Sequence, residues 1–300
     1  MKKNQIALKD LERKRVIGVG GQGVVYLMKH IKTGQQFALK FFKSDDFQQV
    51  AGEFRTVREI SSPYIVQYLR LFDLRHNQLM GNNVAILMDY VPGMDLHDTV
   101  AQVTLTEKER YRLFLEVAVQ LLRALQVLWS HHIVHYDLKP DNIMIDVSSQ
   151  GVKVVLVDFG ISCARKPADQ MRACYFPDAS GTSVFFSPER AAVNLGVKAK
   201  FSYEKDEMWT LGYILSFILS KGKNILPCSG RECYELLYNS DPRKHITQFQ
   251  LQDRDKDAKA FNFIKKLLSR NEIDRPSRAS ALEWAEKLYA DEFDGSKFIH

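Results

Sequence analysis

The chain has 300 residues, of which 45% are hydrophobic and 26% charged, with 42 Lys and Arg against 36 Asp and Glu. That balance excludes a disordered or low-complexity protein and suits one large domain or one domain of two lobes. The formal charge of +6 would suit an acidic partner. The basic residues are scattered, however, densest only from Lys9 to Arg15. A solvated basic surface is expected, and no nucleic-acid partner.

The N-terminus, Met-Lys-Lys-Asn-Gln, leads into no apolar stretch, so no signal peptide is expected. The longest apolar run, Met208 to Leu219, is too short and interrupted to span a bilayer. Cys163, Cys174, Cys228 and Cys233 make neither a Cys-x-x-Cys pair nor a zinc pattern. They are expected to be free thiols in a reducing compartment, which with the absent span predicts a soluble, cytoplasmic protein.

Residues 11 to 43 alternate as strands do, with a turn at Lys32-Thr33-Gly34-Gln35. Residues 46 to 60 carry Phe47, Val50, Phe54, Val57 and Ile60 at helical spacing. Two β-like runs follow, Ile65 to Leu71 and Val84 to Val91, around a polar loop at Gly81-Asn82-Asn83. After Pro92-Gly93, the expected hinge, the texture becomes helical. Thr106 and Glu109 form a capping box ahead of a long apolar-faced segment to Trp129. Further helices are predicted over about 204 to 220, 231 to 238, 257 to 269 and 277 to 289.

Within this frame lie residues fitted to phosphate chemistry. Gly18-x-Gly20-x-x-Gly23-x-Val25 supplies a backbone free enough to approach phosphates. A dinucleotide-binding fold uses the same spacing but continues into a helix, whereas here the β-branched Val24 and Val25 follow. On the next strand Ala38 and Lys40 face the same side, beneath the glycine loop. Glu53 is the candidate carboxylate for Lys40, and Glu59 its competitor. His135-Tyr136-Asp137-Leu138-Lys139-Pro140-Asp141-Asn142 gathers a carboxylate, an ammonium and an amide, and Asp158-Phe159-Gly160 follows the apolar run Val152 to Val157. Two acids and an asparagine offer the oxygen ligands that Mg²⁺ prefers when it shares its shell with phosphates.

Together these motifs resemble those of the eukaryotic protein kinases, and the resemblance runs from about residue 12 to residue 290. It implies an α+β, two-lobed fold: an N-lobe of about 12–91 with a small antiparallel sheet and one main helix, a larger, mostly helical C-lobe of about 92–290, and short terminal extensions. It implies transfer of the γ-phosphate of ATP, with Mg²⁺ or alternatively Mn²⁺, to serine or threonine of a protein substrate. Gly18, Gly20 and Gly23 match the loop over the phosphates, and Lys40 and Glu53 the ion pair that positions them. Asp137 matches the catalytic base, Asn142 and Asp158 the metal ligands, and Lys139 with Thr182 the serine/threonine branch. Met88 falls at the gatekeeper position, Asp89 to Val91 would meet adenine through the backbone, and Asp95 would bind the ribose. Val25, Ala38 and Met144 complete the expected nucleotide contacts. Gly181-Thr182 and Ser187-Pro188-Glu189 resemble the end of the activation segment, Asp206-x-x-Trp209 the helix after it, and Arg275 the late arginine that pairs with Glu189.

The sequence departs from the pattern at Tyr136, where many members carry an arginine that clamps a phosphorylated residue. Tyrosine makes no charge-assisted pair with phosphate, so activity independent of activation-segment phosphorylation is expected, unless Arg165, Lys166 and Arg172 supply another clamp. An inactive member of the fold would be expected to lack Lys40, Asp137, Asn142 or Asp158, and all four stand here. A kinase of small molecules would lack Lys139 and the Ser187-Pro188-Glu189 element.

Overall fold

The computed structural model describes residues 6–43, 46–74, 84–148, 151–164, 181–223, 226–241 and 251–293. The loop at Gly81-Asn82-Asn83 and Cys174, Arg165, Lys166 and Arg172 lie outside them.

The alternating N-terminal residues form β1 (Leu11–Val19), β2 (Gly23–His30) and β3 (Gln36–Phe42), joined by β4 (Tyr68–Asp73) and β5 (Val84–Asp89). They make one antiparallel sheet in the order β1-β2-β3-β5-β4. Side chains of period two sort onto its faces. Phe37 and Leu39 join an outer cluster with Met28 and Leu87, while Ala38 and Phe42 join the inner one with Ile86 and Met88. Lys40 thereby shares the inner face with Ala38, its ammonium 4.7 Å from the centre of the Phe42 ring. Helix α1 (Phe47–Val57) covers that face; Asp46 caps it through the N–H groups of Gln48 and Gln49. The apolar stripe Val50, Phe54 and Val57 is buried, and it carries Glu53 in with it.

The fourth strand begins at Tyr68, three residues later than the apolar run predicts. Ile65 instead bridges Leu156 in parallel, and the Val66 N–H donates to the Leu156 carbonyl at 3.0 Å. These residues therefore stitch the two halves of the molecule together.

Gly93, at the expected hinge, has φ of 95°, and a Cβ there would stand 2.0 Å from the Ile145 carbonyl oxygen. Only glycine fits. Beyond it come β6 (Met94–Asp95), α2 (Leu96–Gln102), α3 (Glu107–Ser130) and β7 (Ile133–Val134). The hairpin of β8 (Ile143–Ser148) and β9 (Gly151–Leu156) and the short β10 (Cys163–Ala164) follow. Helices α4 (Pro188–Asn194), α5 (Tyr203–Leu219), α6 (Gly230–Asn239), α7 (Arg254–Leu267) and α8 (Arg278–Phe293) complete the described C-terminal part. The fold is thus a five-stranded antiparallel sheet with one main helix set on a mostly helical lobe.

The Thr106–Glu109 capping box forms in full. Helix α7 starts earlier than the apolar spacing indicates because Asp253 caps Asp255 and Lys256. Met208 to Leu219 lies within α5 and is buried throughout. Among the described residues α3 is long and apolar enough to cross a membrane by length and composition, with 72% of its apolar window buried in the fold. Arg275, 2% exposed, donates two hydrogen bonds to the buried Glu189, one from Nη2 at 3.0 Å. Breaking such a pair costs about 3–5 kcal/mol because it strands a buried charge.

The expectation of free thiols is overturned. Cys228 and Cys233 form a disulfide with their Cα atoms 5.1 Å apart, and Cys163 is disulfide-bonded as well. The chain reverses at Ser229 and Gly230, the latter at φ of 51°, which folds Cys228 back onto the first turn of α6. A five-residue spacing gives no motif, but the turn brings the pair within bridging distance. The cysteines therefore give no argument for a reducing compartment.

Candidate active site

Two groups of polar side chains meet where the sheet faces the helical lobe. The first gathers on Lys40. Its Nζ donates to Asp158 Oδ1 at 2.7 Å and to Gln22 Oε1 at 2.7 Å. Glu53 Oε1 lies farther off, at 3.6 Å, and accepts from the Tyr68 hydroxyl at 2.7 Å. Glu59, the rival carboxylate, pairs instead with Arg58 on the surface. Lys40 and Glu53 are nearly enclosed, at 7% and 8% exposure.

The electrostatics of this group follow from burial and from which carboxylate holds the lysine. Burial raises Glu53 above its ordinary pKa, more than Lys40 and Tyr68 lower it. Burial also opposes ionisation of Asp158, but there the charge and hydrogen bond of Lys40 win and hold the carboxyl low. Asp158 is thus the firm carboxylate of the pair. Its backbone, at φ of 59°, sits in the left-handed region uncommon for a non-glycine residue.

The second group is built on the loop between β7 and β8. Asp137 Oδ1 accepts from the Thr182 N–H and hydroxyl, both at 3.0 Å. Its Oδ2 stands 3.0 Å from Lys139 Nζ, which also donates to Thr182 Oγ1 at 3.1 Å. Asn142 donates its amide N–H to the Asp137 carbonyl at 2.8 Å. Pro140 opens a single 3₁₀ turn, Pro140–Asn142, which brings Asn142 back beneath Asp137. Carboxylate, ammonium, hydroxyl and amide are consequently fixed within one hydrogen-bonded cluster.

His135 links the two groups. It is fully buried, and burial lowers its pKa, so the ring is neutral. Its Nδ1 accepts from the Asp137 N–H at 3.3 Å, and Nε2 then carries the proton donated to the Val157 carbonyl at 3.1 Å. Phe159 stacks against it with ring centres 4.8 Å apart and meets Tyr68 edge-on at 6.2 Å. An unbroken chain of contacts therefore runs from Asp137 through His135, Phe159 and Tyr68 to Glu53.

The remaining expected residues take their places from the strand registers and a helix cap. Val25 stands opposite Lys40, and Ala38 opposite Met88, in the strand registers. Met144 pairs with Asp95 between β8 and β6. Asp95 caps α2 through the Asp98 N–H at 2.7 Å, and burial raises its carboxyl pKa. The Asp89 N–H is committed to the Gln67 carbonyl at 3.0 Å, and Asp89 stands opposite Phe37 in the strand register. A Cβ at Gly23 would lie 2.0 Å from the Phe41 carbonyl oxygen, so that glycine is required; Gly18 and Gly20 have room.

Three participants carry no motif. Gln22 and Tyr68 hold Lys40 and Glu53. Arg190 donates to Asp206 Oδ2 at 3.0 Å and to the Tyr136 carbonyl at 3.1 Å, and its guanidinium lies 4.1 Å from the centre of the Tyr136 ring. Tyr136 thus takes a cation from within the protein. The sequence marks none of the three; Tyr68 shares its strand with Arg70, Phe72 and Asp73.

The family model for the protein kinase domain matches residues 11–289. The chain is 33% identical over 218 residues to mitogen-activated protein kinase kinase SIPKK of Nicotiana tabacum, covering 71% of this chain and 55% of that protein. It is 31% identical over 217 residues to mitogen-activated protein kinase kinase 7 of Arabidopsis thaliana, covering 71% of this chain and 64% of that one. To myosin light chain kinase 3 of Pongo abelii it is 27% identical over 285 residues, 92% of this chain and 31% of that one. The chain belongs to the protein kinase family, and the matched part spans between 31% and 64% of the length of these three relatives.

Proposed function

We propose that this protein transfers the γ-phosphate of ATP to serine or threonine hydroxyls of protein substrates, using Mg²⁺. The observation that carries the proposal is the Asp137 carboxylate, held by Thr182 and Lys139 beside Asn142, in a molecule that also forms the Lys40–Asp158 pair.

The oxygen set fits a hard divalent cation. Asn142 uses its amide nitrogen on Asp137 and so offers its oxygen, and Asp158 is kept ionised by Lys40. Asn142 and Asp158 would hold such a cation, whose positive charge would offset the negative charge of the phosphates during transfer. Asp137 would orient the substrate hydroxyl and take its proton. Lys139, tied to both Asp137 and Thr182, would stand beside the transferring group as a fixed positive charge. Lys40 would hold the phosphates of the donor. Assignment to serine and threonine draws support from Lys139 and Thr182 and from the relatives, several of which are named as serine/threonine-protein kinases.

Activity independent of phosphorylation between Phe159 and Ser187 belongs to the same proposal. The support is Arg190, which already supplies Tyr136 with a cation and ties it to Asp206. Phosphatase treatment should leave turnover unchanged; loss of activity in a protein that stays folded would overturn this. Cytoplasmic placement is also proposed, on the need for ATP and no longer on the cysteines.

The test is transfer of labelled γ-phosphate from Mg-ATP, and in parallel Mn-ATP, to a mixed protein substrate, with the modified residues identified by mass spectrometry. Label on serine or threonine, lost in Asp158→Ala, is the expected result. Label on tyrosine alone, or none from a protein that binds ATP, would overturn the proposal.

A further inference from the structure

A lysine ammonium has three N–H donors; on Lys40 two of its three partners accept hydrogen bonds, Asp158 at 2.7 Å and Gln22 at 2.7 Å, and Glu53 stands 3.6 Å off as an ion-pair partner. Two of the three are carboxylates. The third is a neutral amide from the glycine loop. A phosphate oxygen that approaches Lys40 on the side Gln22 covers has to displace that amide.

The amide is the acceptor that yields. The ammonium attracts a phosphate or carboxylate oxygen with a full Coulomb interaction that a neutral amide lacks, so a phosphate outcompetes the amide and not a carboxylate. Gln22 is also mounted to move. It stands between Gly21 and Gly23, and a Cβ at Gly20 or Gly21 would meet nothing within 4 Å. Its main chain is held by the Lys43 N–H, which donates to the Gln22 carbonyl at 2.9 Å. The side chain can therefore leave Lys40 without the strand end moving. While on Lys40, its amide lies against Gly160: a Cβ at Gly160 would be 2.2 Å from Gln22 Nε2 and 2.3 Å from Oε1. It thus covers the Gly160 end of the Asp158-Phe159-Gly160 turn, beside the Lys40–Asp158 contact.

We propose that the Gln22 side-chain amide stands in for a phosphate oxygen on Lys40, closing the glycine loop onto the cleft, and that nucleotide phosphates bind by displacing it. Gln22 is then a positioning residue that sets the affinity for the phosphate part of ATP and leaves the adenosine part untouched. The inference rests on the nucleotide-binding reading above.

Binding of a non-hydrolysable ATP analogue with Mg²⁺, and of adenosine, measured by calorimetry on the full chain, tests it. Gln22→Ala should bind the analogue about 3- to 10-fold tighter, the worth of one hydrogen bond no longer in competition, with adenosine unchanged. Gln22→Asn, too short to keep the contact, should follow the alanine variant. Gln22→Glu, which offers Lys40 a charged competitor, should bind the analogue more weakly than wild type and adenosine equally. In steady-state assays Gln22→Ala should lower KM for ATP with kcat little changed. Unaltered or weaker binding of the analogue by Gln22→Ala, or parallel shifts for analogue and adenosine, would overturn the displacement while leaving the kinase reading intact. A wild-type protein that bound neither compound would overturn both.

Discussion

The two halves of the site are constrained in opposite ways. Around Asp137 the partners are near in sequence: Lys139 and Asn142 come from the same loop, and only Thr182 arrives from afar, 45 residues on. Around Lys40 every partner comes from a different segment: Gln22 from the glycine loop, Glu53 from α1, and Asp158 from 118 residues away. The first half is fixed by one turn opened by Pro140. The second exists only while the sheet, α1 and the segment after β9 keep their relative places. A short-range cluster tolerates motion of the lobes, whereas a long-range one reports it. The Lys40 group is accordingly the half whose geometry can change with a bound nucleotide.

Removing the central acid of the rigid half should have the largest effect. Asp137→Asn keeps the shape of the loop and the contact to Thr182 but loses the proton acceptor. Turnover should fall by about 100-fold or more, a barrier increase of about 3 kcal/mol or more, while ATP binding, which belongs to the other half, is retained. Near-equal turnover, or loss of nucleotide binding along with it, would break the division drawn between the halves. Single-turnover rates and equilibrium nucleotide binding on the same preparation separate these outcomes.

A smaller loss is expected on the adaptable half. Glu53→Gln removes the charge of the acceptor that lies farthest from Lys40, while Asp158 continues to hold the ammonium. Burial already disfavours the Glu53 charge, so the amide is a mild replacement. The loss in kcat/KM should be about 10-fold, below that of Asp137→Asn, and felt mainly through KM for ATP. A loss as large as that of the base variant would show that Glu53, despite the 3.6 Å separation, governs Lys40 in the working enzyme.

The same contrast explains what could be read from the sequence. Asp137, Lys139 and Asn142 lie within one short run, and Asp158, Lys40 and the glycines each stand in a local motif, so their convergence was legible from order and spacing. The alternation of Phe37 to Phe42 sufficed to put Ala38 and Lys40 on one face. The spacing of Val50, Phe54 and Val57 sufficed to bury the side of α1 that carries Glu53. Gln22 and Arg190 were illegible because nothing local distinguishes them: their partners stand 18 and 54 residues away. The disulfide of Cys228 and Cys233 escaped for a related reason, since it depends on the reversal at Gly230 and not on the cysteine spacing. The fourth strand began late because Ile65 and Val66 answer to Leu156, a partner no period within the strand could disclose.

Tyr68 offers the smallest and most discriminating break. Its hydroxyl donates to Glu53 at 2.7 Å while its ring packs between Phe54 and Phe159. Tyr68→Phe keeps the packing and deletes the hydroxyl with its hydrogen bond to Glu53. Within a buried site one such bond is worth about 1 kcal/mol, so kcat/KM should drop about 3- to 10-fold with no change in the fold by circular dichroism. Because the hydroxyl touches Glu53 and no part of the Asp137 cluster, the effect should vanish in a Glu53→Gln, Tyr68→Phe double variant compared with Glu53→Gln alone. Additive losses instead would mean that Tyr68 acts through Phe159 and His135 on the catalytic loop, and that the two halves are coupled through the aromatic contacts rather than held separately.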